Sequence, residues 1–227
     1  MSASKTASII KNIPALSPQA SARAIRRDHV LRTAARLFLA QGIEPVKMTD
    51  IAEAANVGVA SVYRYFETKN NLAIQVGTAL WQSFNVAFTR VVKKAATVNT
   101  GLEGMRVLFE QYLTIFKRNP EALSFLDELD RIILSGDVDS RLVDAYDREI
   151  ASYYPPFLEA FEQGCADGSI REEIDFPLYY RTVSHSLISE AQRLVRGEVL
   201  KSDDYSHAER ELSCLVDMAL FYLGKGN

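Results

Sequence analysis

Residues 49–66 read TDIAEAANVGVASVYRYF. The stretch opens as an amphipathic helix, breaks at Asn56-Val57-Gly58-Val59, and resumes as a helix carrying Tyr63, Arg64 and Tyr65 in a row. A core wants only one or two of those side chains. Ile51, Ala52 and Ala55 fall on one face of the first helix, and Val57, Val62 and Phe66 can meet that face from the second. Ala52 is small where the two helices cross. The outward set is then Gly58, Val59, Ala60, Ser61, Tyr63, Arg64 and Tyr65. Small residues let the head of the second helix press against a surface, and its free N–H groups favour phosphate. Tyrosine and arginine donate to phosphate oxygens, and arginine also pairs with guanine in the major groove. The pattern is a helix-turn-helix, and its outward chemistry points to DNA. Asn56 and Gly58 suit the break because both tolerate positive φ.

Charge is distributed in the same sense. The chain has 227 residues and a formal net charge of only -3. Residues 1–75 carry ten Lys/Arg against five acids, and the acids dominate the remainder. A basic front on an acidic body suits a polyanion-binding module attached to something else. The two cysteines, Cys165 and Cys214, have no metal-ligand neighbour at short spacing and read as buried free thiols of a reducing compartment. A cytoplasmic protein is expected. There is no apolar run of the roughly 18 residues a membrane span needs, so no membrane partner is expected. Residues 1–16, rich in Ser and Ala, read as a disordered tail.

Helix punctuation recurs along the chain and strand alternation is nearly absent, which predicts an all-α protein of about nine helices. Ser17-Pro18 reads as the start of the first helix, which ends at Gly42. Thr49 and Thr68 read as caps, and Thr100 with Glu103 forms a capping-box pair. Asn119-Pro120 opens another helix. Pro155-Pro156 should kink or interrupt the segment over 138–166, which Asp167-Gly168 closes. Pro177 opens a helix to Arg196, and the last runs from about Asp204 to Leu223.

The stretch AARLFLAQGIEPVKMTDIAEAANVGVASVYRYFETKNNL, residues 34–72, carries a specific combination. It has Ala-Ala-Arg-Leu-Phe running to a Gly, a Thr-x-x-Ile-Ala opening, a Tyr-x-Tyr-Phe end, and Lys69 followed by Leu72. Residues 24–72 resemble the DNA-binding domain of the tetracycline-repressor (TetR) family of transcriptional regulators. GSIREEIDFP, residues 168–177, is similar to that family's turn before its penultimate helix. The resemblance implies a three-helix DNA-binding domain over 17–68 and a helical ligand-binding and dimerisation domain over 69–227. It implies that Thr49 caps its helix and touches phosphate, that Ser61, Tyr63, Arg64 and Tyr65 lie on the recognition helix, and that Lys69 touches phosphate. Three positions depart from the family pattern: Asn56 stands where Gly is usual, and Gly58 and Val59 stand where Ser and Lys are frequent. Val59 removes a cation from the DNA surface, so the operator need not be that of relatives.

The resemblance further implies a small-molecule effector. Aromatics crowd the middle of the chain, and Trp81, Phe84, Phe88, Phe109, Tyr112, Phe116, Phe125, Tyr146, Tyr153 and Phe157 are the candidate lining residues. A helical core accounts for most of them, and a cavity among them would suit a hydrophobic or aromatic molecule. Acids at Glu121, Asp127, Glu128 and Asp130 leave a cationic effector as the alternative, although Asp127 and Arg131 stand at the i, i+4 spacing of a surface pair. In the last two helices, Val183, Leu187, Leu194, Leu212, Leu215, Val216, Ala219 and Tyr222 are the candidate dimer interface, giving a four-helix bundle with a second copy. The expectation is a homodimeric repressor released from a near-palindromic operator by its effector. No metal or cofactor is called for. Catalysis is disfavoured: His29, His185 and His207 lack a Glu three residues before them, and no Ser/Cys–His arrangement or phosphate loop is visible. A helical protein-interaction scaffold is the other alternative.

Overall fold

The computed structural model describes residues 9–17, 19–197 and 204–225. Its named helices are α1 (Ala22–Gln41), α2 (Met48–Ala54), α3 (Val59–Phe66), α4 (Lys69–Ala95), α5 (Gly101–Arg118), α6 (Pro120–Leu134), α7 (Ser140–Ala151), α8 (Tyr154–Asp167), α9 (Phe176–Arg196) and α10 (Ala208–Leu223). The described residues contain no strand, only a lone antiparallel bridge between Ile170 and Gly224. The all-α class is as the sequence predicts.

Local chemistry sets most helix ends. Thr68 Oγ1 accepts from Asn71 N at 3.0 Å at the head of α4. Thr100 and Glu103 cap α5 reciprocally. Pro155 and Pro156 stand in the first turn of α8, where a missing N–H costs nothing, so the expected interruption separates α7 from α8. Gly168 ends α8 at φ 79. Two expected starts are corrected. Ser21, not Ser17, caps α1, accepting from Ala24 N at 3.2 Å; Pro18 lies outside the described residues. The last helix begins at Ala208 rather than near Asp204.

The chain forms two compact units. The first holds the described residues through Asn85 together with Ser124–Ala151; the second holds Val86–Leu123 and the described residues from Ser152 onward. In the first, Phe38 of α1 stacks on Phe125 at 6.2 Å between centroids, and Trp81 Nε1 donates to the Tyr146 hydroxyl at 3.2 Å. Gly77 permits this packing: a Cβ there would overlap Leu129 and stand 3.0 Å from the Tyr146 ring. In the second, α5 crosses α8 at Gly101 and Gly164, close enough that a Cβ on Gly101 would overlap the α8 backbone. Phe109 and Phe157 meet at 4.8 Å in its core. The Tyr179 hydroxyl donates to Ala219 O at 3.0 Å and joins α9 to α10.

The disordered tail expected over 1–16 is corrected for residues 9–13. Ile9 and Ile13 are buried in the first unit, and their segment is hydrogen-bonded to α1 and α4. Residues 1–8 of that expectation lie outside the described residues. Both cysteines are free, but Cys214 is exposed and Cys165 only half-buried, so neither is the buried thiol expected.

Candidate nucleic-acid interface

The interface begins with a core that the helix-turn-helix cannot do without. Ile51, Ala52 and Ala55 are buried against Val62 and Phe66, while Val57 is half-buried. The turn between α2 and α3 depends on Asn56, which adopts φ 50 and so does the work usually given to glycine. Gly58, by contrast, caps α3 at φ -67 and needs no special freedom.

With Val62 and Phe66 turned inward, α3 presents Val59, Ala60, Tyr63 and Arg64 to solvent; Tyr63 is 49% exposed and Val59 38%. Arg64 is held ready: its Nη2 donates to Ser61 Oγ at 3.1 Å, and its guanidinium lies over the Tyr65 ring at 5.5 Å. Tyr65 is half-buried and meets Phe66 edge-on. The recognition residues therefore divide by role, with Tyr63 and Arg64 outward and Ser61 and Tyr65 aiming the arginine.

Two expected phosphate contacts are altered by geometry. Thr49 does not cap α2, which starts one residue earlier at Met48; Asp50 supplies the cap by accepting from Lys47 N at 2.9 Å. Thr49 remains exposed in the first turn, its hydroxyl 3.4 Å from Asp50. Lys69 Nζ donates to Ile43 O at 3.0 Å and Glu44 O at 2.9 Å, so it ties the end of α1 to the start of α4. An ammonium has three donors, so one is left for a phosphate.

Sequence reasoning missed four residues here. Arg27 lies over the Phe66 ring at 4.9 Å and donates to Gln75, and its burial lowers the guanidinium pKa from the usual value. Asp50 is the cap just described. Glu128 accepts from Ile43 N at 2.7 Å, closing the end of α1 with a carboxylate from α6. Glu67 follows α3 at φ 64, ψ -58, and Thr68 N donates back to Phe66 O at 2.7 Å, which is a γ-turn with a strained central residue. Only Asp50, three residues after Lys47 at the head of a helix, left a readable signal. Glu67→Gly should raise stability by about 1 kcal/mol by relieving that strain, read from the shift of a urea unfolding midpoint.

The expected effector-lining aromatics separate. Trp81, Phe84, Phe125 and Tyr146 belong to the first unit, with Phe125 in the core against Phe38. Phe88, Phe109, Tyr112, Tyr153 and Phe157 belong to the second, where Phe88 stacks on Tyr153 at 4.5 Å; Phe116 is half-buried. Burial raises the Tyr112 hydroxyl's pKa. Burial also raises the pKa of Tyr180 and of Tyr146.

Of the expected dimer residues, Val183, Leu187, Leu194, Leu212, Val216 and Ala219 are buried within this single chain, and Leu215 is half-buried. Tyr222 is exposed, and with it stand Leu178, Met218 and Phe221, the last 89% exposed.

A buried helix-turn-helix core beneath an exposed face of tyrosine, arginine and small residues defines a DNA-binding module. Residues 30–76 match the profile described as "Bacterial regulatory proteins, tetR family". The HTH-type transcriptional repressor KstR2 of Mycolicibacterium smegmatis is 27% identical over 161 residues, spanning 70% of this chain and 75% of that one. The solved structure of the ketosteroid transcriptional regulator KstR2 of Mycobacterium tuberculosis has a TM-score of 0.58 at 16% identity, covering 93% of this chain and 100% of that one. The fatty acid degradation regulator FadR of Bacillus halodurans has a TM-score of 0.63 at 16% identity, covering 91% and 97%. The DNA-binding head therefore carries a domain of the tetR family of bacterial regulatory proteins, and the chain as a whole is similar in fold to regulators of that kind.

Proposed function

We propose that the protein is a homodimeric repressor that binds a near-palindromic operator and leaves it when a hydrophobic small molecule binds the helical body. Its work is binding rather than catalysis, in the cytoplasm; among the described residues no helix is long and apolar enough to cross a membrane. The observation that carries the DNA reading is the outward face of α3, with Tyr63 and Arg64 exposed and Arg64 oriented by Ser61. Two copies would set their recognition helices about 34–36 Å apart, in successive major grooves. Selection of genomic fragments by the purified protein tests this: enrichment of a near-palindrome supports it, and no enrichment at moderate salt by ligand-stripped, refolded protein refutes it.

The aromatic cluster of the second unit, Phe88, Phe109, Tyr153 and Phe157 with Tyr112, supports a hydrophobic effector. The names of similar proteins refer to ketosteroids and to fatty acid degradation, which are also largely apolar chemistries. Two of the four acids that suggested a cationic effector are engaged elsewhere: Asp127 pairs with Arg131 at 2.8 Å and Glu128 holds Ile43 N. Effector binding acts only through its differential affinity for the DNA-competent and released states. Helix α4 joins the recognition helix to the body, and α6 brings Glu128 to the head, so these two helices are the route.

Dimerisation is assigned to the exposed apolar residues Leu178, Met218, Phe221 and Tyr222 rather than to the residues of α9 and α10 already buried within the chain. Phe221→Ser should weaken dimerisation about tenfold, as loss of a central aromatic anchor does. Light scattering across a dilution series checks this, and an unchanged dimer would move the interface elsewhere.

A further inference from the structure

We infer that residues 9–14 are a strap that fixes the DNA-binding head against α4, with Arg32 and Ser83 as positioning residues for operator binding. The inference rests on the DNA-binding reading and adds a component to it.

Arg32 stands on α1, in the basic front of the chain, where an arginine would be expected to reach for phosphate. It is committed inward instead. Nε pairs with Asp28 Oδ2 at 2.6 Å. Nη1 donates to Ile10 O at 3.0 Å, and Nη2 donates to Ile13 O at 3.3 Å and Pro14 O at 3.0 Å. Asp28 thus sets the plane of the guanidinium, and the fork grips three carbonyls at the end of the short helical turn over residues 9–11 and just beyond it, of which Ile10 O also accepts from Ile13 N at 3.3 Å. On the other side, Ser83 of α4, only 2% exposed, donates to Ile9 O at 2.9 Å. Ile9 and Ile13, four residues apart, are the buried anchors between these two grips.

The strap therefore bridges α1 and α4. Val30, Leu31, Ala34, Ala35 and Phe38 make α1 part of the head's core, and only Glu67 and Thr68 separate α3 from α4. The angle between α1 and α4 fixes where the recognition helix points. A second tie stands at the far end of α1, where Lys69 holds Ile43 O and Glu44 O and Glu128 holds Ile43 N. With both ties closed, the head cannot pivot on α4 without breaking one. Opening the strap lowers the fraction of heads in the competent orientation, and apparent affinity falls by that fraction.

The experiment uses the full-length protein and the DNA fragment recovered by selection. Arg32→Ala and, separately, Ser83→Ala should each weaken binding by about tenfold, while stoichiometric titration shows an unchanged active fraction. The salt dependence separates positioning from phosphate contact: loss of a phosphate contact lowers the slope by about 1 per protomer, whereas these variants should keep the wild-type slope. Ser83 is buried and cannot touch phosphate, so its variant carries the test if Arg32→Ala folds poorly. Both variants should also speed tryptic cleavage after Lys11, whose side chain is exposed between the buried Ile9 and Ile13. Faster cleavage with unchanged affinity makes the segment passive packing and overturns the inference, as does unchanged cleavage in both variants. If wild-type protein binds no fragment, the DNA reading falls and this role with it; if wild type binds and the variants match it, only the strap is refuted.

Discussion

Arg64→Ala should weaken operator binding about a hundredfold while leaving the fold and the dimer intact. The side chain is exposed on α3 and makes no contact with the buried core, so its removal costs little stability. Its guanidinium is already oriented by Ser61 Oγ and the Tyr65 ring. Pre-orientation means little rotamer freedom is lost on binding. A base-reading arginine is worth about 1–3 kcal/mol at each half-site, and a two-fold dimer loses it twice. The measurement is fluorescence anisotropy with the selected fragment and with variants of it changed at single positions. Relaxed discrimination at one base pair per half-site would assign Arg64 to base reading. A uniform loss over all sequences, with a shallower salt slope, would assign it to phosphate. An unchanged affinity would remove Arg64 from the interface. Ser61→Ala should reproduce a fraction of the loss, because it frees the guanidinium without deleting it.

Gly101→Ala should destabilise the chain by about 3 kcal/mol, at the upper end of what overpacking costs. A Cβ at this position would overlap Gly164 N, Gly164 Cα and Ala160 O, all backbone atoms of α8. No rotamer change relieves that, so α5 and α8 must move apart. The separation would also strain the bond from Gly101 N to Asp167 Oδ2, 2.7 Å long, which helps fix the head of α5. Gly58→Ala is the matched control, since nothing stands within 4 Å of its Cβ direction and φ is -67. Urea unfolding of both variants distinguishes them. A loss below about 0.5 kcal/mol at Gly101 would mean that the two helices do not cross so closely.

Much of this architecture was legible because it is dictated locally. Thr68, the Thr100–Glu103 pair, Pro120, Pro155-Pro156 and Gly168 act on the helix ends beside them, so their spacing announces those ends. The helix-turn-helix was legible for the same reason: Asn56 supplies the positive φ, and Ile51, Val62 and Phe66 are close in sequence as well as in space. What was not legible involves choice among equivalent local signals or contacts over long separations. Ser17 and Ser21 are both credible caps, and only the packed chain selects the second. The last helix is apolar nearly all round, and periodicity cannot say that Leu212 and Val216 are buried while Phe221 faces outward. The commitment of Arg32 to the carbonyls of residues 10–14, and of Glu128 to Ile43, depends on partners 18–22 and 85 residues away. Glu67 is hidden for another reason. Its backbone conformation is one that glycine would announce, and glutamate conceals it.

The compact unit that contains the recognition helix is assembled from two separate stretches of chain, the described residues through Asn85 and Ser124–Ala151. That has a consequence for how such a gene can be recombined. A crossover at the end of the sequence motif, near residue 72, would carry a new head into the old chain but leave behind Glu128, Leu129 and Tyr146, against which the old head and the start of α4 were fitted. Specificity can therefore be traded between relatives intact only if the segment 124–151 travels with it, or if drift at those positions follows. Domain shuffling at the obvious seam would yield chimaeras that read DNA poorly for want of a fragment 50 residues downstream of it.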